Sequence, residues 1–274
     1  MSFDFELVGK VGSMALVLKP DNDIDYNIMA RIGRSLKPGM IWITSGATEI
    51  GRLDYIKRNG KEIDEDSALA KIDYAAQGQS ILMENYRKFV SPEYSIRQVL
   101  VEHRHFNIAQ NRKHLLELLQ RCPKQNAIPI INYNDAVSDD EILKTELSEI
   151  REKCEEVHLC TDNDETATQV ACLVKAKRLL IMSNIDGIYA DPSDSSTLVR
   201  EIVGKDVYEV LENVSQMQTH CVGASRAHAN GAKAKLEYVK EAVKLGTQVY
   251  IANSKYRIED IISGKAPCTF IGVK

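Results

Sequence analysis

Asp162, Asn163 and Asp164 stand together directly before an amphipathic run, and Lys233 and Lys235 open another helical stretch late in the chain. Two carboxylates and an amide at a helix start suit capping, for which Asp and Asn are preferred. The same groups suit the charged ends of a small substrate. Lysines in a first turn oppose the helix dipole; a bound anion would explain them, and a solvent-facing side chain is the ordinary alternative. Four strand-like segments also end in small or polar residues: Lys10-Val11-Gly12-Ser13, Thr44-Ser45-Gly46-Ala47, Asn132-Tyr133-Asn134-Asp135 and Ser183-Asn184. In open α/β sheets ligands bind outside the carboxyl ends of parallel strands. Glycine admits close backbone approach to an anion, and a following helix supplies free N–H donors.

The elements that must position these residues follow from the hydrophobic pattern. Apolar runs alternate with amphipathic ones throughout, which predicts an α/β fold, a three-layer αβα sandwich with a mainly parallel central sheet. "FELVGKVG", "GMIWITSGA", "IRQVLV", "AIPIINY", "LLIMS" and "TQVYIANS" read as strands. Helices are expected over residues 25–37, with Ile28, Ile32 and Leu36 on one face, and over 66–89, 107–119 and the run closed by Gly246. Residues 141–157 carry apolar positions at helical spacing on a charged surface, the pattern of a lid, a subunit contact or a solvated connector. No repeat or Pro/Gly/Ser linker divides the chain, so a single domain over 1–274 is expected, with an approximate N-lobe of 1–160 and C-lobe of 161–274.

The 274 residues are 44% hydrophobic and 27% charged, as in ordinary globular proteins, and the net charge of −4 offers no basic field for nucleic acid or anionic lipid. No apolar run approaches the roughly 20 residues of a membrane span, and the first residues show no signal-peptide pattern. Six cysteines without CxxC spacing read as reduced thiols, and a cytoplasmic location is expected. Neither a Walker-type GxxxxGK[ST] nor a GxGxxG after the first strand is present. His103 and His105 in "EHRHF" read as a solvated segment, His220, Cys221 and His228 lack the spacing of a closed metal site, and Trp42 reads as core.

Taken in order, "KVGSM", "TSGA", "INYNDAV", "TDND", "MSNIDGIYADP" and "NGAKAK" resemble the motif series of the amino acid kinase family, with further similarity at "GQSILMENY" and "NIAQNRKHLLELL". The resemblance spans almost the whole chain and implies phosphoryl transfer from ATP to a carboxylate, glutamate first among the candidates. By position it implies Lys10, Lys235 and Asp164 as the catalytic set, the lysines flanking the phosphoryl group from opposite lobes and Asp164 holding them. It implies Ser45, Gly46, Ala47, Asp135 and Asn163 at the acceptor, with Asp135 receiving an ammonium group. For the nucleotide and its phosphates it implies Lys10, Gly12, Ser13, Ser183, Asn184, Gly187, Tyr189, Asp191, Pro192, Asn230, Gly231 and Lys235. Mg²⁺ is expected through the phosphates rather than on a protein ligand. The partners implied are a small-molecule carboxylate and further copies of the chain, as a dimer or tetramer.

The series departs from the family pattern at four places. Tyr133 replaces a Glu, Thr161 a Gly, Asn184 an Asp, and "NGAKAK" stands for a loop richer in glycine. Other acceptors of the same fold (another amino acid, carbamate, a nucleoside monophosphate or a phosphate ester) therefore remain open, as does a ligand-binding regulator without turnover.

Overall fold

The computed structural model describes residues 4–64, 67–137, 163–191, 193–220 and 231–274. The predicted helix at 141–157, and Thr161, Asp162, Pro192 and Asn230 of the motif series, lie outside these residues.

In chain order the elements begin with strand β1 (Leu7–Val11), the short pair β2 (Val17–Leu18) and β3 (Asp23–Ile24), and helix α1 (Tyr26–Ser35). Then come β4 (Met40–Thr44), α2 (Ala47–Asn59), α3 (Ser67–Phe89), β5 (Ser95–Val101), α4 (Arg104–Asn107), α5 (Ala109–Arg121) and β6 (Ala127–Tyr133). After Asn163 follow α6 (Asn163–Leu173), β7 (Arg178–Ser183), β8 (Ile188–Tyr189), β9 (Leu198–Val199), β10 (Glu201–Gly204) and α7 (Val207–His220). The chain closes with α8 (Ala232–Lys244), β11 (Gln248–Asn253), α9 (Ile258–Ile262) and β12 (Cys268–Val273). The class is α/β with a mainly parallel sheet, as the alternating pattern predicts.

Two compact units emerge, Val11–Asn163 and Met1–Lys10 with Asp164–Lys274. In the first, the strand order is β4-β6-β5, all parallel. The strands are apolar along their length because helices cover them, as buried parallel strands require. Helix α1 starts where the Asp25 carboxylate accepts from the amides of Asn27 and Ile28, both at 3.0 Å. Its inward face is Met29, Ile32 and Leu36. The helix expected over 107–119 is α5, which starts two residues later because the backbone at Ile108 is extended and separates it from the single turn α4. Trp42 is core as predicted, fully buried with its indole N–H donating to the Tyr86 hydroxyl at 2.9 Å.

Helices α2 and α3 touch backbone to backbone. A Cβ on Gly78 would stand 1.8 Å from the Ala47 carbonyl oxygen, and one on Gly51 1.8 Å from that of Tyr74. Only glycine permits this approach, and it fixes the start of α2.

In the second unit the order is β10-β12-β11-β7-β1, with β12 antiparallel to β11 and the other registered pairs parallel. Strand β11 runs in register with β7, Asn253 opposite Ser183, so their following loops leave side by side. Helix α8 ends at Gly246, whose φ of +79° is the left-handed position after a helix that the sequence assigns to it. Among the described residues no helix is long and apolar enough to cross a membrane.

Candidate active site

Within the second unit, Lys10 on β1, Asp164 in the first turn of α6 and Lys235 in the first turn of α8 converge. The Lys10 ammonium is 2.5 Å from one Asp164 oxygen, and the Lys235 ammonium donates to the other. Lys10 is 8% exposed and Asp164 1%. Burial alone would raise the Asp164 carboxyl; the Coulombic pull of Lys10 and Lys235 overturns that and holds it below the usual carboxylate range. Two ammonium groups and one carboxylate leave the triad with a surplus positive charge in a poorly solvated place. That charge suits a passing anion.

The geometry also answers the question raised by lysines in a helix's first turn. Lys235 turns to a carboxylate, whereas Lys233 is exposed. Lys10 and Lys235 belong to one compact unit, where the resemblance implied opposite lobes.

The first unit holds the residues that the resemblance assigns to the acceptor. Gly46 has φ +100°, a conformation that glycine alone adopts without strain, and it starts α2 with no side chain capping the first amides. The Ser45 amide donates to the Val11 carbonyl at 3.2 Å, next to Gly12, and a Cβ on Gly46 would lie 3.7 Å from Ser13 Cα. The Gly12-Ser13 and Ser45-Gly46-Ala47 turns are thus neighbours. Asn163 donates to Ser45 Oγ at 2.9 Å and to Asn132 Oδ1 at 3.3 Å. Asn132 in turn donates to Gln79 Oε1 on α3 at 2.9 Å. Asp135 begins a short 3₁₀ turn after β6, half-buried, and desolvation alone pushes its carboxyl up to about 6.

Strand register shapes the other side of this turn. Val101 of β5 pairs with Tyr133 of β6, which sets Glu102 and His103 beside the acceptor loop. Asn134 donates from its backbone to the Val101 carbonyl at 3.0 Å and from its side chain to Glu102 at 2.8 Å. The Tyr133 hydroxyl lies 3.0 Å from His103 Nδ1, with the rings edge to face at 5.5 Å. His103 is fully buried, which corrects the reading of "EHRHF" as solvated; His105 is half-buried.

Of the residues that the resemblance assigns to the nucleotide, Ser183, Asn184, Gly187, Tyr189 and Asp191 are dispersed along the end of β7 and the segment after it. Ser183 ends the strand and accepts from the Ile185 amide, while Asn184 is exposed and its carbonyl accepts from Asn253 at 3.1 Å. Gly187 is buried where a Cβ would meet Thr269 Oγ1 at 2.4 Å. Tyr189 lies in β8, paired with Leu198. Asp191 is exposed, and its carboxylate accepts from the Ser193 amide and hydroxyl, which hold it below its usual range. Gly231 caps α8.

Beyond the residues the motifs single out, Gln79 and His103 join the hydrogen bonds around the end of β6, and Asp186 pairs with Lys255 at 2.9 Å beside the loop after β7. The end of β11, "NSKY", could have been read like the other strand ends. For His103 no signal in the sequence existed. Among the described residues no group of three or more His, Cys, Asp or Glu is arranged for a metal ion.

The mainly parallel α/β frame, with a buried Lys-Asp-Lys cluster in one unit and a glycine-started helix in the other, agrees with a known class. The chain belongs to the amino acid kinase family, whose profile matches residues 7–253. Within it the chain is similar to the glutamate 5-kinase of Shouchella clausii (strain KSM-K16), 30% identical over 239 residues, covering 85% of this chain and 57% of that protein. It is likewise 30% identical over 280 residues to the glutamate 5-kinase of Carboxydothermus hydrogenoformans, covering 96% of this chain and 67% of the relative. Of the first two such relatives the chain spans 57% and 64% of the length.

Solved structures share the fold at low identity. UMP kinase from Ureaplasma parvum has a TM-score of 0.55 at 13% identity, covering 98% of this chain and 99% of that one. An isopentenyl phosphate kinase substrate complex has a TM-score of 0.54 at 12% identity, covering 98% and 100%.

Proposed function

We propose that this chain transfers the γ-phosphoryl group of ATP to a carboxylate, with glutamate as acceptor and glutamyl 5-phosphate as product. The observation that carries this reading is the buried Lys10–Asp164–Lys235 cluster with its surplus positive charge. Phosphoryl transfer requires alignment and charge neutralisation more than covalent assistance. In the reaction an acceptor carboxylate oxygen attacks the γ-phosphorus, the bond to the β–γ bridging oxygen breaks, and ADP leaves. Lys10 and Lys235 would meet the charge on the transferring group, and Asp164 keeps both ammonium groups aimed. Gly12 and Ser13 would offer backbone amides to the phosphates, and Ser183, Asn184, Gly187, Tyr189, Asp191 and Gly231 would frame the nucleotide.

Asp135 supports an amino-acid acceptor. It is a half-buried carboxylate raised by desolvation, a group that gains by meeting an ammonium. The uncapped start of α2 offers amides to a carboxylate. Magnesium, when bound through the phosphates, supplies charge neutralisation; Asp164 does not fit as its ligand, because a lysine holds each of its oxygens. Phosphate-bearing acceptors would call for arginine, and Arg52 on α2 is engaged by Glu49 and Glu62, both at 2.7 Å. Incubation with ATP, Mg²⁺ and glutamate, with hydroxylamine trapping the acyl phosphate, tests the reading. Hydroxamate and ADP in equal amounts are expected; neither product with glutamate, but ADP with another acceptor, would replace the substrate.

A further inference from the structure

We propose that Gln79 is a further acceptor-binding residue, donating from Nε2 to the carboxylate of an α-amino-acid head group whose ammonium meets Asn163 Oδ1. This rests on the reading of Ser45 and Asn163 as the acceptor side.

A backbone amide orients the whole side-chain network. The Tyr133 N–H donates to the side chain of Asn132 at 2.9 Å. A backbone N–H can only donate, so the atom facing it is Oδ1 and the Asn132 amide has one possible orientation. Its Nδ2 then points to Gln79, which must present Oε1 at 2.9 Å. On the other side Asn163 must present Nδ2 to Asn132 Oδ1, and the same Nδ2 reaches Ser45 Oγ. The polarity set by one main-chain donor therefore runs through three amides. It leaves Gln79 with its NH₂ and Asn163 with its carbonyl oxygen turned outward from the chain of bonds.

Both leftover atoms are buried, and among the described residues neither has a hydrogen-bond partner. Burying a donor or acceptor unsatisfied is costly, and native proteins keep such groups rarely and for a reason. A donor and an acceptor at two ends of one amide network match a head group that bears an anion and a cation together. Gln79 is well held for the task, since α3 is locked against α2 at the Gly51–Gly78 approach, one residue before it.

Gln79→Glu tests this, because the new carboxylate still accepts from Asn132 Nδ2 while the Nε2 donor becomes an anionic oxygen. Gln79→Met removes the donor without adding charge and covers the case in which the first variant fails to fold. Binding of L-glutamate, its α-carboxamide and glutarate would be measured by calorimetry without nucleotide, beside ADP release with each. The wild type should bind glutamate tightest. Both variants should lose about 10- to 100-fold in glutamate affinity, as expected for a lost charge-assisted bond, and with it the preference for carboxylate over carboxamide. The acceptor KM should rise, with kcat and the ATP KM changed little.

Retained preference for the α-carboxylate in both variants would overturn the assignment. ADP release only with acceptors that lack an amino-acid head would overturn it while leaving phosphoryl transfer in place. Gln79-dependent glutamate binding with no transfer to any acceptor would uphold it and remove the kinase reading instead.

Discussion

Asp164 and Asp135 stand in the two units, and their surroundings push the same functional group in opposite directions. Asp164 is 1% exposed yet held below the usual range by two ammonium groups, while Asp135 is less buried and is pushed up to about 6 by desolvation alone. Depth therefore does not decide the charge of a buried carboxylate; the cations brought to it do. Asp164 receives its cations from its own chain. Among the described residues none is brought to Asp135, which fits a group whose cation arrives with a ligand.

Breaking the first half of the comparison should produce the largest effect. Asp164→Asn leaves two lysines in a poorly solvated cluster without their counter-charge, and removing one partner of a buried pair costs about 3–5 kcal/mol. Urea unfolding at pH 7 should show that loss. The sign follows from the lowered carboxyl. Its contribution is present above the unfolded value near ~3.9 and fades as pH falls through the lower folded value, so wild type and variant should converge in acid. Lys10→Met tests the catalytic side of the cluster. If Lys10 neutralises the transferring phosphoryl group, kcat measured by ADP release should fall by about 10²–10³, as for other electrostatic stabilisers.

Asp135→Asn should be smaller and of mixed sign. A raised carboxyl keeps its proton longer in the folded state than in the unfolded one. The wild type therefore loses stability as pH rises from the unfolded value to about 6 and is level above that. The amide variant lacks this loss, so its melting temperature should exceed the wild type's at pH 7, with the gain absent near pH 4. The acceptor KM should rise about 10- to 100-fold at pH 7, the range of a hydrogen bond to a charged group. Wild-type acceptor affinity should climb between pH 5 and 7, and that climb should disappear in the variant. A variant both less stable and unaltered in acceptor KM would mean that Asp135 is a structural carboxylate after all.

The two aspartates also differ in what made them readable. Asp164 was legible because Lys10, the Asp-Asn-Asp turn and Lys235 each lie at an element end, and strand ends announce themselves through small and polar residues after apolar runs. Their convergence still spans 71 positions between Asp164 and Lys235, and the pairing came from the family resemblance rather than from any local signal. The alternation of strands and helices gave the class, the strand positions and the Gly246 stop. Around Asp135 the reading was thinner. Gln79 lies mid-helix, where period and composition mark only an inner face, and its role appears once Asn132 reaches it from 53 positions away. His103 looked solvated because its neighbours Glu102 and Arg104 are charged. Its burial depends on the register that sets β5 beside β6, which no local pattern encodes.

That register yields the smallest and sharpest prediction. Strand alternation sends the side chains of Asn132 and Tyr133 apart, the first to Gln79 and Asn163, the second to buried His103. The tyrosine at the position where the family pattern has Glu therefore directs its hydroxyl to His103. Tyr133→Phe keeps the ring and removes only the hydroxyl, so a loss of about 0.5–1.5 kcal/mol in stability is expected, the net worth of one hydrogen bond. If the His103–Tyr133 contact also steadies the loop that carries Asp135, the acceptor KM should rise a few-fold with kcat and the ATP KM unchanged. Combining Tyr133→Phe with His103→Leu should then cost less than the sum of the two single changes, because both break one contact. Strict additivity in KM would detach the pair from the acceptor loop and leave Asp135 dependent on desolvation alone.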